Sequence, residues 1–225
     1  MLKASVISIV GFILLFGVSA SAQKQPSPTP ASKKEPVKAN SRPETKAVQG
    51  EPFDMADAAK MAQQCVTLET EAGTIVAEMF PESAPESVRN FLNLTSTGLF
   101  DNTTFSRVVP GFVIQGGNLY TGDKWNAVTA ARSRRTVPDE PNKILHERGI
   151  LSMARSDEPN SATTNFFILV AAAAYLDGKF AAFGRVTKGM EVVDAINKAE
   201  VVDEKPEKPV RIKKAVASKC DSFNN

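Results

Sequence analysis

Between residues 65 and 80 the apolar positions Val66, Leu68, Ile75, Val76, Met79 and Phe80 fall in two short runs around Gly73, a pattern that predicts a β-hairpin. Ser83, Pro85 and Glu86 then give a helix start. Val88, Phe91, Leu92 and Thr95 follow at helical spacing, and Gly98 ends that run. The segment TFSRVVPGFVIQGG reads as two short strands broken at Pro110-Gly111, and GILSMAR, NFFILVAA and KFAAFGRV are three further strand candidates. GMEVVDAINKA predicts a second helix with Val192 and Ile196 inward, and PVRIKKAVASKC alternates as a closing strand. Many short strands with two isolated helices, and no internal repeat, point to an antiparallel barrel with helical plugs.

Ahead of this region the pattern is different. MLK, an apolar stretch and the small residues Ala20 and Ala22 match a secretory signal peptide over residues 1–22, with cleavage after Ala22. The alternative is an uncleaved inner-membrane anchor, because residues 4–22 are just long enough to cross a bilayer. Export would deliver the chain to a periplasmic or extracellular space. Residues 23–50 hold five Pro and six Lys or Arg and no aromatic residue. Such a segment buries too little apolar surface to offset its ordering entropy. A disordered linker is therefore expected over residues 23–64, with a short helical turn within 51–64, and the folded domain over 65–221. The linker's basic surplus suggests at most a weak contact with an anionic surface.

Composition narrows the chemistry. A formal net charge of +2 argues against nucleic acid as a partner. One His (His146) and two widely separated Cys (Cys65 and Cys220) leave too few ligands for a structural metal site, and a Ser-His-Asp triad would have to use His146. Thirteen Phe against one Trp and two Tyr predict an aromatic core. Gly116-Gly117 fits a close backbone turn and not a phosphate loop, since no GK[ST] follows. Asn93-Leu-Thr95 and Asn102-Thr-Thr104 match glycosylation sequons, a pattern too common to weigh.

FSRVVPGFVIQGG, GILSMAR, TNFFI and YLDGKFAAFGRVTKGMEVVDAI, in this order and spacing, resemble the cyclophilin family of peptidyl-prolyl isomerases over about residues 65–220, and the compact bacterial members in particular. The resemblance implies a mainly β fold, a closed eight-stranded antiparallel barrel capped by two α-helices. It implies rotation of X-Pro bonds without cofactor or metal. The partners implied are proline-containing unfolded or exported polypeptides, bound by a monomer.

The chemistry is specific. Amide resonance raises a barrier of roughly 18–20 kcal/mol against rotation about an X-Pro bond. Twisting the bond localises a lone pair on the prolyl nitrogen. A fixed cationic donor aimed at that atom binds the twisted amide better than either planar form. Arg suits the role, because it stays charged and its planar fork can be locked by neighbours.

By resemblance Arg107 is the catalytic Arg, Phe112, Val113, Phe167 and Leu176 line the proline pocket, and Gln115 contacts the substrate backbone and helps hold Arg107. Phe105 and Phe166, on the alternate face of their strands, belong to the core. Ala154, Arg155, Ser156, Asn165, Tyr175 and Phe180 complete the substrate groove. Asn165 stands where most members have Gln, Arg155-Ser156 where Asn-Ala is usual, Tyr175 in place of Trp and Phe180 in place of His. The family fold also brings the first and last strands together. A Cys65–Cys220 disulfide is therefore one expectation and two separate thiols the other. The competing function is a non-catalytic chaperone or scaffold that holds proline-containing peptides on the same fold.

Overall fold

The computed structural model describes residues 50–220; the expected signal peptide and most of the expected linker lie outside these residues. Eight strands form one antiparallel sheet: β1 Gln64–Thr70, β2 Gly73–Met79, β3 Arg107–Val109, β4 Val113–Gly116, β5 Ile150–Met153, β6 Phe166–Leu169, β7 Ala182–Lys188 and β10 Ile212–Lys219. Their order is β10-β1-β2-β7-β5-β6-β4-β3. A separate two-stranded hairpin, β8 Val201–Val202 and β9 Lys205–Pro206, turns at Asp203 and Glu204. The β1–β2 hairpin pairs Thr70 with Gly73 as its apolar pattern requires.

The barrel is less closed than expected. Between its outermost strands runs only an isolated bridge, Thr104 to Arg211, supported by Phe105 N donating to Val210 O at 3.0 Å and Asn102 N to Ile212 O at 2.7 Å. The reason is local: β3 is three residues long, and its Val108 N–H donates to Glu204 O of the β8–β9 turn at 2.8 Å. The strand therefore cannot continue its ladder along β10.

Of the four α-helices among the described residues, α2 (Pro85–Ser96) and α4 (Met190–Asn197) are the two expected. Pro85 opens α2, where a missing N–H costs nothing. Helix α4 buries Val192, Val193 and Ile196. The other two are short. Helix α3 (Ala127–Arg132) starts in a reciprocal capping box between Asn126 and Thr129. Helix α1 (Ala58–Ala62) starts at Asp57, whose carboxylate accepts from Lys60 N at 2.7 Å.

Helix α1 corrects the expected boundary at Cys65. Residues 51–64 pack on the domain: Phe53, Ala56 and Met61 are buried, and Met61 is fully so. Asn93 on α2 accepts from Phe53 N at 2.7 Å, and Arg89 Nη1 donates to the carbonyls of Phe53 at 2.7 Å and Ala56 at 2.6 Å. The apolar side chains of this segment find a surface on the domain, so the folded region takes in residues 51–64. Asn93, the first sequon asparagine, is thereby buried, with its amide donating to Asp54 at 2.9 Å.

The core is aromatic. Phe91, Phe100, Phe105, Phe166 and Phe183 are fully buried, and Phe91 meets Phe166 edge-on at 5.0 Å between centroids. A disulfide joins Cys65 to Cys220, with Cα atoms 4.8 Å apart, across the first and last strands of the sheet.

Candidate active site

Strand alternation divides four short strands between two jobs. Val108, Ile114, Phe166, Ile168 and Leu151 enter the main core, while Arg107, Val113, Gln115 and Phe167 take the opposite face. Register then aligns a row across the sheet. Arg107 on β3 faces Gln115 on β4, Gln115 faces Phe167 on β6, and Phe167 faces Ser152 on β5. Directly opposed residues in antiparallel ladders bring Cβ atoms within about 4.5–5.5 Å, so the row is a contiguous strip of side chains. Gly117 closes it: its φ of +86° is a glycine conformation, and a Cβ there would collide with Thr164 O.

Arg107 is held at two points. Its Nε donates to Glu204 Oε2 at 2.7 Å and its Nη1 to Gln115 Oε1 at 3.2 Å. Nη2 has no partner among the described residues and is free to act as a donor. Beside it lies a cavity of about 190 Å³ lined by Phe112, Val113, Phe167, Leu176 and Phe180, with Tyr175 at its exposed edge. The Tyr175 ring sits 5.9 Å from that of Phe112, and Phe167 meets Phe180 edge-on at 6.2 Å. The chamber is apolar apart from Arg107, Gln115 and the mouth residue Arg155, whose guanidinium lies 4.9 Å over the Phe180 ring. A fixed cation at the rim of an aromatic pocket is an arrangement suited to a small ring carrying one polar atom.

A second cleft of about 450 Å³ shares Arg107, Gln115, Ala154 and Arg155 with the first and continues over Ser156 and Asn165. All twelve residues expected from the sequence therefore line one continuous depression.

His146 lies outside it. It is buried, with Nδ1 3.1 Å from Asp177 Oδ1 and Nε2 3.1 Å from Ser152 Oγ. This has the composition of a nucleophilic triad, but Ser152 is fully buried and its hydroxyl donates to Ala181 O at 2.9 Å, so no substrate reaches it. The group braces structure: Asp177 Oδ1 also accepts from His146 N at 2.7 Å and so anchors the turn that carries Tyr175 and Leu176. Burial pushes the His146 pKa down, against the opposing pull of Asp177.

The model of the family described as cyclophilin type peptidyl-prolyl cis-trans isomerase/CLD matches residues 65–217, most of the described domain. The chain belongs to the cyclophilin-type peptidyl-prolyl cis-trans isomerases. Among curated cyclophilins it is 38% identical over 160 residues to peptidyl-prolyl cis-trans isomerase A of Dickeya dadantii, covering 67% of this chain and 82% of that one. It is 39% identical over 161 residues to the isomerase cypE of Dictyostelium discoideum, covering 70% of this chain and all of that one. Among solved structures, the Cryptosporidium parvum cyclophilin, determined in the presence of the dipeptide Ala-Pro, superposes with a TM-score of 0.60 at 28% identity and covers 69% of this chain and 99% of that one.

Sequence reasoning missed Glu204, Ser161 and Thr163. Glu204 is 97 residues from Arg107 and reaches it only because the β8–β9 turn abuts β3. Ser161 and Thr163 line the second cleft from a loop with no regular pattern.

Proposed function

We propose that this domain catalyses rotation about X-Pro bonds with Arg107 as the catalytic residue, in proline-containing segments of exported polypeptides, and that it works without a cofactor. The proline ring enters the cavity walled by Phe112, Phe167 and Leu176. Burying the ring there leaves the flanking amide outside, where it is free to turn. As it turns, the prolyl nitrogen becomes pyramidal and its lone pair localises. The Nη2 donor of Arg107 meets that lone pair, and the contact exists only in the twisted state. Gln115 and Glu204 keep the guanidinium from following the substrate as it rotates.

The observation that carries this reading is the two-point clamp on Arg107 at the rim of an apolar pocket. Export rests on the leader over residues 1–22 and on the fit of a disulfide to an oxidising compartment. The decisive experiment measures X-Pro isomerisation by wild type and Arg107→Ala. Removing the donor should lower kcat/KM by roughly 10²–10³-fold, the usual cost of losing one oxyanion-hole-type group. Peptide binding should weaken far less. Equal, uncatalysed rates for the two proteins would leave only a proline-peptide-binding module, and equal catalysed rates would remove Arg107 from the catalytic role.

A further inference from the structure

We propose that Arg155 makes this site select segments that carry an acidic side chain one or two residues before the proline. The inference rests on the isomerase reading above and concerns the second cleft. Arg107 stands on the border between the two cavities. With the proline ring in the first and its nitrogen at Arg107, the substituent outside the ring on that nitrogen is the carbonyl carbon of the preceding residue. The chain before the proline therefore leaves across Arg107 into the second cleft.

That cleft is lined by two guanidinium groups and by no carboxylate. The acids that face these arginines approach through the Nε edges: Glu204 at 2.7 Å from Arg107, and Asp139 at 3.7 Å from Arg155. The terminal nitrogens of Arg155 donate only to backbone carbonyls, Nη1 to Ser156 O at 2.9 Å and Nη2 to Lys179 O at 3.4 Å. Each terminal nitrogen carries two hydrogens, so a donor remains on both. The acids nearest in the chain, Asp157 and Glu158, are exposed and do not line the cleft.

Two further donors point to an anionic guest. Thr163 Oγ1 and the Asn165 amide line the cleft and have no partner among the described residues. Arg155 is also pre-positioned: its guanidinium stacks on Phe180 at 4.9 Å and its side chain is 21% exposed. A held charge loses less rotamer freedom on pairing than a solvated one. Attraction of an acid and repulsion of a base act on the same ratio, so an Asp-bearing peptide should exceed its Lys counterpart in kcat/KM by about three- to tenfold.

The test uses X-Pro peptides with Asp, Ala or Lys one and two residues before the proline, assayed on the full-length protein at low and at 0.5 M salt. Wild type should rank Asp above Ala above Lys at one of the two positions, and the spread should narrow with salt. Arg155→Ala should collapse the ratio toward one, and Arg155→Glu should invert it. Activity on every peptide with no charge preference would overturn the inference while leaving the isomerase reading intact. A preference surviving in Arg155→Glu would also overturn it. No catalysis of any peptide by wild type would overturn the isomerase reading itself.

Discussion

The contact between Arg107 and Glu204 offers a direct test of how the catalytic side chain is positioned. The pair is too exposed to matter much for folding: Arg107 is 40% and Glu204 48% accessible, which puts the bond at about 0.2–1 kcal/mol of stability. Its effect on rate should be larger in proportion. A free Arg side chain carries about 2 kcal/mol of rotamer entropy. Two anchors hold this one, Glu204 on Nε and Gln115 on Nη1. Releasing one of them returns roughly half of that freedom, about 1 kcal/mol, which is roughly fivefold in rate. Glu204→Ala should therefore lower kcat by about fivefold with little change in KM, because the arginine acts on the twisted amide. Glu204→Gln keeps an acceptor at 2.7 Å reach and should stay within about twofold of wild type. Paired with Gln115→Ala, the loss should approach the full amount of about 2 kcal/mol, roughly thirtyfold in rate, because neither anchor is left. Isomerisation rates across a substrate series, with a melting curve for each variant, decide the matter. An unchanged kcat in Glu204→Ala at unchanged melting temperature would refute the reasoning.

Reduction of the Cys65–Cys220 bridge, which spans 155 residues, should cost about 2–4 kcal/mol and lower the melting temperature by several degrees; an intact mass that does not rise by two hydrogens on reduction would exclude the bridge. His146 titrates below its usual value near 6.5 in the folded protein, so the unfolded chain binds the extra proton first as pH falls. The stability contributed by the neutral ring is therefore complete above pH 6.5 and is lost as pH drops through 6.5 and then the lower native value. His146→Gln should flatten the melting-temperature profile between pH 7.5 and 5.5, and parallel profiles would show that another group governs it. Met61→Ala should destabilise the domain by about 2–5 kcal/mol, as for any fully buried Met, read by urea unfolding. A loss below about 0.5 kcal/mol would return residues 51–64 to the linker.

The strands that build the site were legible as short apolar runs bounded by turn residues, and β5 and β6 are buried on both faces. Phe166 and Phe167 illustrate this: adjacent letters, opposite faces, one in the core and one in the pocket. The catalytic row needed register as well, which follows from the Pro110-Gly111 turn between β3 and β4. What stayed hidden depends on contacts far apart in the chain. The β8–β9 turn uses Asp203 and Glu204 at positive φ, +49° and +62°, where Asn-Gly would have announced it. Segment 51–64 carries apolar residues without a long periodic run, and Phe53 and Met61 reveal themselves as core only against the domain. Helix α3 did leave a signal, the spacing of Asn126 and Thr129, but with Thr in place of the usual Glu or Gln of a capping box.

The link between the first and last strands also changes the topology of the chain. From Cys65 to Cys220 the polypeptide is a covalent ring, and every residue of the proposed site lies on it. A single protease cut in an exposed loop, such as the one holding Asp157 and Glu158, would open the ring without releasing a fragment. The nicked molecule would migrate as one species until reduced, with both halves of the pocket still tethered and able to re-pair.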